Sequence, residues 1–346
     1  MLTARQNMLE TIRGGNPERF VNQYEAFHIM FHPFSIHSGG PQKGEENIVN
    51  AWGVTNSYPN HVPGTFPVHT PDKIVVQDIE NWRDYVKAPS LDFPEEEWEM
   101  FRAEYDAVDT AQAFKTAFVA PGLFEQTHHL CEITEALVNY IAYPDEMHEL
   151  IEYLTEWELE LAEGICTNLK PDAILHHDDW GTEISTFLRP EMFAEFFVEP
   201  YKKIYGYYHD HGVELVIHHS DSFAASLVPY MIEMGVDIWQ GCMDSNNIPE
   251  LIKQYGEKIT FMGGIDNKYV DIETATEDDV HETVKRVCDN CGSKFFIPSI
   301  TQGGPGSVRQ GQYKLLTKVI DRYSEEVFGI SESDITRLPI QIMFGA

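Results

Sequence analysis

Short apolar runs alternate with longer amphipathic stretches along most of the chain after residue 113. Six runs have the composition of buried strands, at positions 115–120, 172–176, 214–218, 237–240, 258–262 and 294–298. The stretches between them have helical periodicity, at 132–168 with a break near Pro144 and at 190–209, 223–234, 249–255, 277–290 and 308–327. Strands that alternate with helices predict a parallel sheet in an α/β fold. Five or more consecutive β–α units favour a closed (β/α)8 TIM-type barrel, with an open doubly wound sheet as the alternative.

The first 110 residues follow a different pattern and are predicted to consist mostly of loops. An amphipathic helix ends at Gly14 and Gly15, residues 38–72 are rich in Gly, Pro and Asn, and residues 95–113 are typical of an acidic surface helix. Long irregular segments in a compact enzyme usually cover a site or an interface. We therefore expect a single domain over residues 1–346, in which the loop-rich residues 1–110 cover the site.

The charge balance excludes several classes of partner. The 346 residues include 24 Lys and Arg against 56 Asp and Glu, which gives a net charge of −32. Nucleic acids and anionic membrane surfaces both need a basic face, so neither is expected to bind. No apolar run has the length of a membrane span or of the apolar core of a signal peptide, which predicts a cytoplasmic protein. The 5 scattered Cys do not indicate a disulfide framework.

Polar or Gly-rich clusters follow four of the predicted strands. They occupy residues 176–183, 218–222, 263–266 and 298–307. In a β/α barrel the residues that follow the strands gather at the C-terminal face, where the active site lies. We therefore expect the four clusters to converge on one site.

Residues in the first two clusters have the chemistry of metal ligands. His219 and Asp221 lie two positions apart at a strand end, so alternation places them on one side of the chain. Imidazole and carboxylate both bind Zn²⁺, and a catalytic zinc keeps three protein ligands and an open position. Asp179 and Glu183 follow the adjacent strand, and Glu199 precedes Pro200, where a break in the helix would direct its carboxylate toward the site. The alternative is a hydrogen-bonded network of these groups without a metal.

Four segments carry a resemblance to a known group of enzymes. Residues 3–20, 177–222, 227–266 and 295–307 are similar to the uroporphyrinogen decarboxylase superfamily, and the second segment is the most specific. The resemblance extends over nearly the full chain. It implies a (β/α)8 barrel with its site at the C-terminal mouth. The superfamily contains decarboxylases and corrinoid-dependent methyltransferases.

Two branches of the superfamily fit the sequence poorly. The decarboxylases carry an Arg-rich RQAGRY segment after the first strand, whereas residues 26–40 read AFHIMFHPFSIHSGG without an Arg. The methyltransferases that act on thiols such as coenzyme M bind zinc through a His-x-Cys pair and a later Cys. The matching positions here are His219-Ser220-Asp221 and Pro298-Ser299-Ile300, so both cysteines are missing.

A third branch fits better, namely the methyltransferase I components of O-demethylase systems. These enzymes move a methyl group from a methyl ether to a corrinoid protein and are thought to bind zinc through two Glu and one His. The resemblance therefore implies Glu183, Glu199 and His219 as zinc ligands. Asp221 stands at the cysteine position of the thiol branch and is a substitute ligand or a catalytic residue.

The implied reaction assigns further residues. Zinc would polarise the ether oxygen while the Co(I) of the corrinoid (cobalamin) attacks the methyl carbon. Asp178 or Asp179 would orient the substrate or a zinc-bound water, and the substrate would contact Trp180, His218 and Gln302. No D-x-H-x-x-G corrinoid-binding motif is present, so the corrinoid would arrive on a separate protein. A homodimer is compatible with the superfamily.

Three alternatives remain open at this stage. The methyl donor or acceptor could be a methylamine, a quaternary amine or a methyl thioether or thiol, and a cationic donor would need an aromatic cage. A porphyrinogen decarboxylase is the rival enzyme. The chain could also be a metal-free, uroporphyrinogen-decarboxylase-like protein.

Overall fold

A computed structural model describes residues 1–62, 64–301 and 308–340 of the chain. Its main sheet has seven strands, and a small antiparallel sheet has three. In chain order the ten strands are β1 (Phe27–Met30), β2 (Ile48–Val49), β3 (Thr55–Ser57), β4 (Phe66–Pro67), β5 (Phe114–Val119), β6 (Ala173–His177), β7 (Leu215–His219), β8 (Ile238–Cys242), β9 (Thr260–Ile265) and β10 (Phe296–Ile300). The six strands predicted after residue 113 are all present in the main sheet, whereas β1 lies in the part of the chain predicted to be loops.

The main sheet is parallel throughout and follows chain order. Its strands are arranged β1-β5-β6-β7-β8-β9-β10, without the reversal of order that defines a doubly wound sheet. The sheet is curled, and its two ends approach each other. The backbone N–H of Gln23, just before β1, donates to the Pro298 carbonyl of β10 at 3.2 Å. Seven strands of this curled sheet lie in the described residues, so the closed eight-stranded barrel remains a prediction.

Helices follow the strands and pack on the outer face of the sheet. They are α1 (Ala4–Ile12), α2 (Pro33–His37), α3 (Glu95–Asp106), α4 (Leu123–Cys131), α5 (Ile133–Ala142), α6 (Pro144–Asn168), α7 (Pro190–Phe193), α8 (Glu199–Asp210), α9 (Val228–Met234), α10 (Ile248–Tyr255), α11 (Asn267–Val270), α12 (Glu277–Cys291) and α13 (Gln312–Phe328). None of the helices in the described residues combines the length and the apolar character that a membrane span requires.

The core explains why the strands have little polar–apolar alternation in sequence. All residues of β7, β8, β9 and β10 are buried, because one face of the sheet meets the helices and the other meets the interior of the curl. Even so, successive side chains point to opposite faces. His176 points to the helices, where its Nε2 meets the Glu158 carboxylate of α6. The next residue, His177, therefore points to the interior.

One predicted helix is interrupted. The sequence predicts a helix over 190–209 with a break before Pro200, and in the structure a π-helical turn at Ala194–Val198 separates α7 from α8. Single π-turns inside helices often occur at functional sites, because they change the direction in which the following side chains point.

Candidate functional site

Two histidines stand side by side at the carboxyl ends of adjacent strands. His177 ends β6 and His219 ends β7, and the two residues are register partners. Their rings stack with 4.5 Å between centroids and 22° between planes. Gln240 on β8 is the register partner of His219. Because partners in a parallel sheet point to the same face, the three side chains form one polar row at the C-terminal rim.

Asp179 completes a group of three metal-binding side chains. One donor atom each from His177, Asp179 and His219 lies within 4.8 Å of the others. The Nε2 of His219 is 3.9 Å from Oδ1 of Asp179. Ligands of a tetrahedral zinc with bonds of about 2.1 Å stand about 3.4 Å apart, so this pair needs only a small approach. Two imidazoles and one carboxylate are a donor set that suits an open catalytic zinc.

Nδ1 of each histidine already has a hydrogen-bond partner. Nδ1 of His177 bonds Oε2 of Glu125 at 2.9 Å, and Nδ1 of His219 bonds the amide oxygen of Gln240. An amide oxygen only accepts, so Nδ1 of His219 carries the proton and its Nε2 keeps a lone pair. Metal-binding histidines almost always donate their other ring N–H to a carboxylate or carbonyl, as these two do. The residues of the cluster therefore fit a zinc ion.

The charges around the two rings move their pKa values in opposite directions. Burial alone lowers the pKa of His177, but the Glu125, Asp179 and Asp221 carboxylates together raise it to about 10. Burial and the nearby His177 lower the pKa of His219 to about 4, against the opposing effects of Asp179 and Gln240. His219 is therefore neutral at pH 7, which is the form that binds a metal, whereas His177 is protonated in the metal-free site and would release its Nε2 proton on binding a metal.

Asp221 lies at the edge of the cluster. Its backbone N–H donates to Oδ1 of Asp179 at 3.1 Å. Burial first, and then the Asp179 carboxylate, raise the pKa of Asp221 to about 8, and Glu183 contributes in the same direction. Glu183 itself is exposed, on the loop that follows β6. The structure thus brings Asp179, His219 and Asp221 together and leaves Glu183 at the rim.

The structure does not bring Glu199 to the cluster. Its side chain is 71% exposed and pairs with Lys202 at 2.7 Å. The helix is irregular where Pro200 predicted a break, since the π-helical turn Ala194–Val198 lies directly before Glu199, but the chain stays helical through that turn and the Glu199 carboxylate is not directed toward the cluster. The carboxylate therefore stays on the outer surface of the helix layer.

Asp178 precedes Asp179 of the cluster and binds the N-terminus of α4. It is fully buried, and its carboxylate accepts from the backbone N–H groups of Phe124 at 3.0 Å and Glu125 at 2.7 Å. It also accepts from Trp180 Nε1 at 2.8 Å and from the Tyr201 hydroxyl. Burial, followed by the nearby Glu125 charge, raises the pKa of Asp178 to about 7. With its oxygens engaged in this way, Asp178 acts as a positioning residue for Glu125 and is closed to substrate.

The predicted substrate contacts Trp180 and His218 are also closed off. Both are buried, and their rings stack with 3.8 Å between centroids. His218 points to the helix side of the sheet, where Nδ1 meets the Tyr205 hydroxyl at 2.8 Å and Nε2 donates to the Asp178 carbonyl at 3.1 Å. Alternation along β7 explains this, since His218 and His219 must face opposite sides. Gln302 lies outside the described residues.

Sequence reasoning missed His177 of the cluster and the two residues that bond its histidines, Glu125 and Gln240. For His177 the signal was available, because it ends β6 as His219 ends β7 and alternation separates it from His176. Glu125 is the third residue of α4. Its approach to His177 depends on the backbone hydrogen bond from the Gly122 N–H to the His177 carbonyl at 2.7 Å. No sequence pattern indicates that contact.

The loop-rich N-terminal residues reach the neighbourhood of the cluster. His69 bonds the His129 carbonyl of α4 through Nε2 at 3.2 Å. Burial, with His69 next, lowers the pKa of His128 to about 4, while Asp179 acts in the opposite direction. His128 is thus close enough to His69 and to Asp179 for both to influence its pKa.

Comparison with known proteins defines the family. The family model described as uroporphyrinogen decarboxylase (URO-D) matches residues 121–323, more than half of the chain and all of the cluster. The chain belongs to the uroporphyrinogen decarboxylase family. The superfamily resemblance of the sequence is thereby confirmed at the level of the family.

Solved structures resemble this member of the uroporphyrinogen decarboxylase family over different extents. A methyltransferase from Methanosarcina mazei matches with a TM-score of 0.66 and 12% identity, over 93% of this chain and 99% of that one. At this identity the match establishes a shared fold. A D-psicose 3-epimerase in the presence of D-fructose matches with a TM-score of 0.39 and 10% identity, over 68% of this chain and 85% of that one. A comparison with curated protein sequences gave no match.

Proposed function

We propose that this chain is a zinc-dependent methyltransferase that moves a methyl group from an aryl methyl ether to the Co(I) of a corrinoid carried by a separate protein. The observation that carries the proposal is the His177–Asp179–His219 cluster, whose two rings are held through Nδ1 with their Nε2 atoms left for a metal. The shared fold with a Methanosarcina methyltransferase supports the same conclusion.

The proposed ligand set differs from the one that the sequence resemblance implied. His177 and Asp179 replace Glu199 and Glu183, and His219 stays. Asp221 is the nearest further carboxylate, since its N–H bonds Asp179. Three protein ligands leave one position open for a substrate oxygen. A zinc held by these residues would supply Lewis acidity to a substrate oxygen.

The chain's own residues prepare this site. Glu125 and Gln240 fix the orientation of the two rings, so that little rearrangement is needed when the substrate binds. Asp178 holds the N-terminus of α4 and thereby the Glu125 backbone. Trp180 and His218 are buried on the helix side of the sheet, behind the strand ends that carry the cluster.

Decarboxylation of a porphyrinogen, the activity that gives the family its name, is less compatible with the cluster. A substrate with many carboxylates needs basic residues, and residues 26–40, which include β1 and the segment after it, contain no Arg. Glu125, Asp179, Asp221 and Glu183 lie close enough together to influence one another's charge. Such a rim repels a polyanion.

A methyl-transfer assay tests the proposal. The zinc-loaded chain is mixed with an aryl methyl ether and photoreduced Co(I) cobalamin, and the formation of methylcobalamin is followed by its visible spectrum. We expect transfer by the wild-type chain and a loss of at least about tenfold in His219→Ala. Parallel reactions with methylamine, a quaternary amine and a methyl thioether test the rival donors. Equal rates with and without His219, or transfer from another donor alone, would overturn the proposal.

A further inference from the structure

Two phenylalanines near the carboxyl ends of β1 and β5 point into the interior of the curled sheet. Phe31 and Phe118 directly follow a pair of register partners on the two strands. Their rings meet edge to face, with 6.0 Å between centroids and 85° between planes. The register partner of Phe118 on β6 is Leu175, which shares its face with His177 two residues later. Phe31 and Phe118 therefore face the same interior as the metal-binding cluster.

Strand geometry gives the separation between Phe118 and the cluster. On β6, His177 lies two residues beyond the position opposite Phe118. With a rise of about 3.3 Å per residue and about 4.8 Å between strands, the Cα atoms of the two residues lie roughly 8 Å apart. Because both side chains point inward, a ring in contact with Phe118 would lie beside His177.

The aromatic lining of this interior is closed at the lower end and open at the rim. Four residues earlier on the same strands, and on the same face, Phe27 and Phe114 are 3% and 0% exposed. Phe31, by contrast, is 47% exposed, and Phe118 is half-buried. Exposed aromatic surface costs free energy in water, which a ligand recovers when it covers the rings. Such a surface beside a few polar groups is the usual composition of a small-molecule site.

We propose that Phe31 and Phe118 bind the aromatic ring of a neutral ligand, with an oxygen substituent of that ring directed toward the His177–Asp179–His219 cluster. Aromatic rings prefer offset-stacked and edge-to-face contacts, and two rings at 85° to each other offer both to a flat ligand. A saturated ring has no π-system and gains only from the burial of its apolar surface. The pair thus selects aryl over alkyl groups.

Under the proposed function this ligand is the aryl methyl ether, and that part of the inference rests on the proposed function. Binding of the ring itself is measured on the metal-free chain without corrinoid. Ring binding that depends on Phe31 in a chain that transfers no methyl group would support the inference and overturn the function. Methyl transfer by a chain whose ring binding does not depend on Phe31 or Phe118 would do the reverse.

Calorimetric titration of the metal-free full chain with anisole and with methoxycyclohexane tests the inference. The two ligands share a methoxy group on a six-membered ring, but only anisole is aromatic. We expect the wild-type chain to bind anisole about three- to tenfold more tightly than methoxycyclohexane. Phe31→Leu should remove most of this preference, because leucine keeps apolar surface and lacks the ring. The exposure of Phe31 makes this substitution a mild one for the fold.

Two further variants locate the site. Phe118→Leu should reduce the preference for anisole in the same way, and circular dichroism confirms that each variant is folded. Phe66→Leu is the matched control, because Phe66 lies on the small antiparallel sheet and is 54% exposed. It should bind both ligands as the wild-type chain does.

Four results would each overturn the inference. They are equal affinity of the wild-type chain for anisole and methoxycyclohexane, no binding of anisole at millimolar concentration, unchanged binding of anisole in folded Phe31→Leu and Phe118→Leu, and tighter binding of tetramethylammonium than of anisole. The last result would identify the two rings as part of a cage for a cation.

Discussion

Nδ1 of His219 donates its proton to the side-chain oxygen of Gln240, its register partner on the neighbouring strand. This bond fixes the tautomer of His219, because the amide oxygen can only accept. The Nε2 lone pair then faces Asp179 at 3.9 Å. A neutral glutamine thus determines which nitrogen of the histidine is available to a metal.

Replacement of Gln240 should weaken the metal site without removing a ligand. Gln240→Leu leaves Nδ1 of His219 without its acceptor, and we expect a loss of about 10–100-fold in zinc affinity, measured by competition with a chromogenic chelator. Gln240→Glu keeps an acceptor and should retain most of the affinity. The matched control is Gln254→Leu on the exposed surface of α10. If Gln240→Leu binds zinc as tightly as this control, Gln240 has no role in positioning His219.

Asp178 should affect both folding and metal binding, because it accepts from the N-terminal N–H groups of α4. Asp178→Asn turns one accepting oxygen into a donor that faces other donors. We expect the free energy of unfolding to fall by about 2–4 kcal/mol in urea denaturation. Zinc affinity should fall as well, since Glu125 loses its support.

Asp92→Asn is the control for this prediction, because Asp92 is exposed. The control should change stability by no more than about 0.5 kcal/mol. A variant Asp178→Asn that is as stable as the control would show that the buried hydrogen bonds of Asp178 are not needed.

The buried His32 predicts a loss of stability in acid. Its pKa is lowered to about 4 in the folded chain by burial, whereas the unfolded chain has the ordinary value of 6.5. The unfolded chain therefore binds the proton more tightly, so the free energy of unfolding falls as the pH drops below about 6.5 and levels off below about 4. The full difference corresponds to at most about 3.5 kcal/mol.

Urea denaturation at pH 7 and pH 4.5 measures this effect. We expect the decrease between the two pH values to be smaller in His32→Phe than in the wild-type chain, with His211→Phe as the exposed control. The opposite ranking, or an equal decrease in all three proteins, would contradict the assignment of His32 as a buried neutral ring.

The sequence predicted the repeating architecture well, because each unit after residue 113 is encoded locally. The composition of runs such as 214–218 and 294–298 is enough to predict strands. β1 was missed, since Phe27–Met30 contains His28 and lies among irregular segments. The π-helical turn at Ala194–Val198 lies directly before Glu199 and Pro200, and the missing N–H of Pro200 gives the sequence a local signal for an irregular helix there.

The sequence predicted those residues of the site that lie at or just after the ends of strands. Asp179, His219 and Asp221 all lie directly after or at the end of a strand, and the structure brings them together. Glu199 was chosen because of Pro200, but the chain stays helical through the irregular turn before Pro200, and the exposed Glu199 side chain pairs with Lys202. The adjacent histidines could have been separated by alternation along β6 and β7, which assigns His177 and His219 to the interior.

Metal content in matched variants tests the central claim most directly. The wild-type chain, His177→Ala and Glu199→Gln are each loaded with zinc, passed over a desalting column and measured by elemental analysis. The account predicts about one zinc per chain in the wild type and in Glu199→Gln, and a loss of most of the metal in His177→Ala. Zinc retained in folded His177→Ala, or lost in Glu199→Gln, would contradict it.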